Sequence, residues 1–244
     1  MSGPQSQPKL QIRVVPVTPL QQNCSLVWDT ATKHALFVDP GGDVDKLLGA
    51  LNHFGLKLTR MWLTHGHLDH AGAAADLRER TGVAVEGPHK DDQFWLDQIE
   101  SSAGRYGLSG LRNVRPDRYF EDGEELEFEG VKFGVAHTPG HTPGHVVIHN
   151  AAARIAFVGD VLFQGSIGRT DFPRGNHEQL IHSITSKLWP LGDDITFIPG
   201  HGPTSTFGQE RKTNPFVADR LTGYSGAKVE AADVGEQRTS KRYT

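Results

Sequence analysis

With 244 residues, 36% hydrophobic and 22% charged, the chain fits one large domain or two small ones and can bury a sizeable core. A formal net charge of −4 gives no global basic field to draw nucleic acid or an anionic membrane. The single cysteine, Cys24, rules out an intrachain disulfide and suits a reducing compartment.

The N-terminal "MSGPQSQPKLQ" lacks the apolar core of a signal peptide, and no apolar run has the length of a membrane span. The expectation is a cytoplasmic protein with no nucleic-acid or membrane partner; oligomeric state is not legible. Residues 1–9 are polar and Pro-rich and read as a flexible lead-in. From Leu10 the strand-like runs "LQIRVVPV", "CSLVW" and "HALFVDPGG" follow one another across turn residues. Asp43 is placed to cap a helix through "DKLLGALNHFG", where Leu47, Leu48, Leu51 and Phe54 keep helical spacing and Gly55 ends it. "RMWLT" predicts a buried strand, "HAGAAADLRERTG" a helix stopped by Gly82, "VAVEG" a strand and "HKDDQFWLDQI" an amphipathic helix. Glu100 to Pro116 reads as irregular, a loop near the mouth of a site. "EELEFEGVKFGVAH" predicts a hairpin turning at Glu129–Gly130, and "HVVIHN" and "ARIAFVGD" two more strands. "GNHEQLIHSITSKLW" predicts a helix with capping spacing between Asn176 and Gln179, and "DITFIPG" the last strand. Residues 223–244 read as a polar, disordered tail, leaving 10–222 as the folded domain. Runs of strands with helices between them predict a mixed α+β fold with more than one sheet.

Four of these strands run into Gly- or Pro-bearing turns that carry His or Asp: "RMWL" into "THGHLDH", "KFGVA" into "HTPGHTPGH", "RIAFV" into "GD" and "DITFIP" into "GH". Neighbouring strand ends lie close together, so the four turns are expected to gather at one edge. Imidazole nitrogens and carboxylate oxygens suit Zn, Fe or Mn. His65 and His67 are two apart and point the same way in an extended segment, whereas Asp69 and His70 fall at the turn into a helix. The two pairs diverge, which points to two metals side by side. His141, Asp160 and His201 would complete them, Asp160 bridging through its two oxygens. Taken singly, a histidine after a strand is most often a loop or core residue, and "GD" is a common turn. The density of the His65–His70 cluster is what separates it from that reading.

"THGHLDH" resembles the His-x-His-x-Asp-His signature of the metallo-β-lactamase superfamily, and "TPGHTPGH", "FVGD" and "PGHGP" follow in the family's order. Within it, "PVTPLQQNCSLVWD", "VDPGGD", "GRTDFPRGNHEQL", "WPLGDD" and "GPTSTFGQERKTNPF" resemble the short glyoxalase II-like hydrolases of the YcbL type. The resemblance spans about Leu10 to Phe216. It implies a four-layer αββα sandwich with His65, His67 and His141 on a first metal, Asp69, His70 and His201 on a second, and Asp160 bridging. The implied cofactors are two divalent ions, zinc first, with iron or manganese as alternatives. His137 and His145 do not match family ligands and read as orienting or merely structural. Asp39 either orients ligand histidines or caps backbone N–H groups.

The implied activity is that of a thioester hydrolase resembling glyoxalase II, in methylglyoxal detoxification. A metal-bridging hydroxide, with Asp69 and Asp160 as the catalytic carboxylates, would convert S-lactoylglutathione to D-lactate and glutathione. Longer glyoxalase II enzymes bind glutathione partly through a C-terminal helical domain, for which this chain ends too soon. Arg169, Arg174, Arg211 and Lys212 are the candidates for contacting a glutathione-derived small molecule. The rival reading is a persulfide dioxygenase with one Fe(II) on His65, His141 and Asp160; another metallohydrolase, such as a lactonase, is a second.

Overall fold

The computed structural model describes residues 10–224. The expected lead-in, 1–9, and all but Gly223 and Tyr224 of the expected tail lie outside the described residues. Thirteen strands and eight α-helices are present among those described. The first sheet holds β1 (Leu10–Val17), β2 (Gln22–Asp29), β3 (His34–Val38), β4 (Lys57–Trp62) and β5 (Val85–Glu86), paired in that order. β1–β2–β3 is antiparallel, and β3–β4–β5 is parallel. Parallel neighbours need crossovers. Helix α1 (Val44–Phe54) makes the first, and α2 (Leu68–Ala71) with α3 (Ala74–Thr81) the second. Two short helices, α4 (Gln93–Leu96) and α5 (Ile99–Arg105), follow β5.

The second sheet runs β13–β12–β9–β8–β7–β6, built from β6 (Glu125–Phe128), β7 (Val131–His137), β8 (Val146–Asn150), β9 (Ile155–Gly159), β12 (Thr196–Pro199) and β13 (Ser205–Thr206). Only β9 and β12 are parallel. A ribbon of β10 (Leu162–Phe163) and β11 (Ser166–Ile167) stands apart, and α6 (His177–Ser183), α7 (Phe207–Thr213) and α8 (Asp219–Thr222) complete the chain. The β6–β7 hairpin turns where expected. Glu129 and Gly130 both adopt positive φ, 50° and 76°, as a two-residue turn matched to strand twist requires.

Strand alternation explains the layering. Leu26, Ala35 and Phe37 face α1 and α3, whereas Val27, Leu36 and Val38, one residue out of phase, face the other sheet. In the second sheet Val146, Ile148 and Phe157 meet them, while Val147, Ala156 and Val158 pack on α6 and α7 with Leu180, Ile184 and Phe207. Helix, sheet, sheet, helix is the expected four-layer αββα sandwich. The sheets also hydrogen-bond at one edge: Val146 N–H donates to Thr64 O (2.8 Å) and Asn23 N–H to Gly200 O (2.7 Å). β4, β7, β9 and β12 all end there.

Local expectations differ from the structure in four places. Asp43 does not cap α1. Its backbone is left-handed (φ 50°) and its carboxylate accepts from Thr18 N–H instead. The helix expected through "HAGAAADLRERTG" is broken into α2 and α3 around Gly72–Ala73. Gly72 sits against the backbone carbonyls of Leu68 and Gly41. The helix expected from "HKDDQFWLDQI" is a short turn followed by α4, with helix resuming only at Ile99. Within the stretch expected to be irregular, residues up to Arg105 are helical, because Ile99 and Ala103 bury an apolar edge. Asn176, by contrast, caps α6 through Gln179 N–H as its spacing predicts. Among the described residues no helix is long and apolar enough to cross a membrane.

Phe133 lies buried between the sheets, edge-on to Trp62 at 5.4 Å. Phe133→Ala should cost about 3–5 kcal/mol in denaturant unfolding; a loss below about 1 kcal/mol would show that the inter-sheet layer is not packed as described.

Candidate metal centre

The four strand ends bring all seven predicted ligand-type residues together. His67 Nδ1 lies 3.1 Å from His65 Nε2 and 3.0 Å from His141 Nε2. Beside this trio, His201 Nε2 is 3.1 Å from Asp69 Oδ2, and His70 joins them. Asp160 stands between the trios: Oδ2 is 3.7 Å from His141 Nε2 and 3.8 Å from His201 Nε2, and Oδ1 is 3.3 Å from His70 Nε2. In each trio the donor atoms lie within 4.8 Å of one another.

The remaining ring nitrogens show which atoms are free. His70 Nδ1–H donates to Asp39 Oδ2 (2.9 Å), His141 Nδ1–H to Arg169 O (2.7 Å) and His201 Nδ1–H to Leu20 O (3.2 Å); His65 Nδ1 is 3.2 Å from Thr64 Oγ1. These partners occupy Nδ1 and leave four Nε2 atoms facing inward, the arrangement seen around metal-ligating histidines. His67 alone presents Nδ1.

The donor set fits divalent ions. Three nitrogens about 2.0–2.1 Å from a tetrahedral ion sit about 3.3 Å apart, close to the spacings of the first trio. His70 Nε2 and Asp160 Oδ1 are buried and face each other without a hydrogen bond, a costly arrangement that a shared cation relieves. Burial, reinforced by neighbouring imidazoles, holds His65 far below the ordinary histidine range and His67 at about 3, so the first trio is neutral. In the second trio burial also disfavours charge, but Asp160 and Asp69 outweigh it and hold His70 well above its usual value. His201 is likewise raised, against its own burial, chiefly by Asp69. Burial works against ionised Asp160 too, yet His70 brings it below the usual carboxylate range. An ion entering the second trio therefore displaces protons from charged imidazoles, whereas one entering the first meets rings that are already uncharged.

Asp39 serves both roles left open for it. It accepts from Thr64 N–H (2.7 Å) and Thr64 Oγ1–H (2.6 Å) while orienting His70. His145 stacks on His65 at 4.6 Å and its Nε2 accepts from Asp160 N–H (3.0 Å), so it positions the shared carboxylate. His137 lies outside the cluster, stacked on His89 and donating to Pro143 O.

Asp92 escaped the sequence reading. It is fully buried and accepts from Gly66 N–H (2.8 Å), Thr142 Oγ1–H (2.7 Å) and Gly144 N–H (2.5 Å), tying the loop of His65 and His67 to the loop of His141. Burial pushes its carboxyl up to about 6, against the pull of those donors, which leaves it ionised at neutral pH. A signal existed: Asp92, Leu96 and Ile99 share helical spacing, and an acid on that apolar edge needs a buried partner.

A cavity of about 840 Å³ opens over both trios. Trp95, Phe163 and Phe172 form apolar walls. Arg169 lines it, but Arg174, Arg211 and Lys212 do not. Arg174 stacks on Phe94, and Arg211 pairs with Asp193 and Asp219 beneath Tyr224. Arg105 and Tyr106 line the cavity from α5 and its end, within the stretch expected from sequence to be irregular.

Asp92→Asn places an amide N–H₂ against a ring of donors. It should cost about 1–3 kcal/mol of stability and weaken metal retention, read by unfolding and by metal analysis; unchanged metal content would separate Asp92 from the centre. A Cβ on Gly200 would collide with Asp160 Oδ1 and His70 Cε1. Gly200→Ala should therefore lower the metal content of the purified protein, and full wild-type content would show that the cluster yields.

A family model, described as the metallo-beta-lactamase superfamily, matches residues 17–201. The chain is 48% identical over 209 residues to a Haemophilus influenzae protein named hydroxyacylglutathione hydrolase GloC, covering 85% of this chain and 98% of that one. Among solved structures, BLEG-1, titled a B3 metallo-beta-lactamase, superposes with TM-score 0.78 at 35% identity, covering 85% of this chain and 99% of that chain. TTHA1623, solved in a di-iron-bound form, gives 0.76 at 36%, covering 84% and 99%. The signature histidines, the two-sheet sandwich and these matches agree, and the chain belongs to the metallo-beta-lactamase superfamily.

Proposed function

We propose that the chain is a thioester hydrolase with two divalent ions, zinc in the first instance, one on His65, His67 and His141, the other on Asp69, His70 and His201, with Asp160 shared. The observation that carries this is the pair of donor trios meeting at Asp160 on the floor of one large, mostly apolar cavity. When bound, such a pair of ions lowers the pKa of water and polarises a carbonyl.

The chain's own groups do the rest. Asp160, held by His145 through its backbone and by His70 through its charge, spaces the two trios. Asp69, fixed by His201, keeps an acceptor at the cavity floor. Trp95 and Phe172 pack edge-on against His67 at 4.6 Å and 5.0 Å, excluding water and offering an apolar seat for an acyl thioester. A thiolate leaves with a pKa near 8.5 and needs no strong general acid, in keeping with the few titratable groups over the cavity floor. A glutathione-derived substrate, S-lactoylglutathione giving D-lactate and glutathione, is supported by the name of the 48%-identical relative.

The test is hydrolysis of S-lactoylglutathione against other acyl thioesters by protein of known metal content. Two ions per chain and preferred cleavage of the glutathione thioester are expected. Stripping the ions with a chelator should abolish activity, and readdition restore it. His67→Ala should lower kcat/KM by more than the roughly 10–100-fold that loss of an outer hydrogen-bond partner costs. One iron per chain, oxygen uptake with glutathione persulfide and no thioester cleavage would instead establish the dioxygenase reading.

A further inference from the structure

We propose that α5 forms the carrier-binding end of the cavity, with Arg105 receiving a carboxylate of a short, acidic peptide thiol. This rests on the thioesterase reading above and names the part of the substrate that the metal centre does not touch. Gln98, Ser102 and Arg105 all line the cavity, at i, i+4 and i+7 around the start and length of α5. That spacing places them on one helical face, spread over about 10 Å. An extended tripeptide has a similar length, about 10 Å. Gln98 uses its amide nitrogen on Phe94 O, leaving its carbonyl free to accept, and Ser102 Oγ makes no hydrogen bond among the described residues.

Charge then selects the partner. Among the described residues, the only acids lining the cavity are Asp69 and Asp160, both on the floor and both facing histidines. The cations outside the floor are Arg105 and Arg169. Arg169 is engaged already: Nε and Nη2 each lie 2.6 Å from an oxygen of Asp171, and the guanidinium stacks on Phe172 at 4.3 Å. Arg105 has no acidic or carbonyl partner among the described residues. The cavity lining thus presents one uncommitted guanidinium fork at the C-terminal end of a polar stripe, in the same cavity as the apolar walls and the donor trios. A short peptide thiol that carries a carboxylate able to reach Arg105 while its thioester lies over the donor trios matches this layout. A neutral carrier leaves Arg105 unused.

The experiment compares wild type with Arg105→Gln and Arg105→Lys in the metal-containing protein. The substrates are S-lactoylglutathione and the neutral S-lactoyl-N-acetylcysteamine. Arg105→Gln should lower the preference for the glutathione thioester about 10- to 100-fold, through KM rather than kcat, the size of one charged hydrogen-bond pair. Arg105→Lys should fall between, since an ammonium lacks the fork. Calorimetric titration with S-methylglutathione, which cannot be hydrolysed, should show the same weakening in Kd. An unchanged preference ratio, or a fall shared equally by both substrates, would overturn the proposal. If wild type cleaves neither thioester, the thioesterase reading fails on its own. The titration then decides Arg105 separately: equal Kd in wild type and Arg105→Gln rejects it, and a weaker Kd in the variant sustains it. Arg105 is exposed on the helix, so matching thermal midpoints should accompany all three proteins.

Discussion

Two buried aspartates hold the segment on which everything else in the site depends. Asp39 takes the N–H and hydroxyl of Thr64 at one end, and Asp92 takes the N–H of Gly66 at the other. Between them lies His65, wholly buried among other imidazoles. Each carboxylate also reaches a second element: Asp39 the ring of His70, and Asp92 the loop before β8. Buried carboxylates that accept several donors are rigid and expensive to disturb. They convert a short glycine-bearing turn into a fixed platform, and the histidines inherit that fixity.

The site's chemistry follows from where the sheets meet. Strands from both sheets stop at the same edge, and backbone hydrogen bonds from Val146 to Thr64 and from Asn23 to Gly200 join them there. Glycine at position 200 lets Asp160 and His70 approach without obstruction. The apolar layer between the sheets continues up to this edge through Val38, Trp62 and Ile198. The donor cluster therefore stands on a packed, dry foundation. In such surroundings neutral imidazoles and paired charges are favoured over isolated ions, which is why the two trios differ in charge.

Much of this was legible in the chain. The His65–His70 cluster is contiguous, and the turns after four strands repeat one pattern, so the donors could be named and their convergence expected. The four-layer sandwich was legible through the family resemblance rather than through strand patterning, since "HALFV" is buried on both faces. What escaped did so for physical reasons. Asp43 sits in a left-handed conformation that sequence spacing does not reveal, and its carboxylate serves Thr18 rather than α1. α5 has the sequence "IESSAGR", with two serines and a glycine of poor helix propensity; packing of Ile99 and Ala103 sustains it. Arg211 looked available for a ligand because its two acidic partners, Asp193 and Asp219, are 18 and 8 residues away. Asp92 sits beside Lys90 and Asp91, and only its helical spacing to Leu96 and Ile99 marks it as the buried acid of that run.

The hydrogen bonds of Asp92 have a kinetic meaning as well. They span 26 residues to Gly66 and 52 to Gly144, and the contact between His67 and His141 spans 74. Closures of that length come late when a chain folds, after local helices and hairpins have formed. His65, His67, Asp69 and His70 follow β4 of the first sheet, and His141, Asp160 and His201 belong to the second, so neither half by itself contains a finished centre. Acquisition of a bound ion would then mark the last stage of folding, a natural clock for when the two halves have docked.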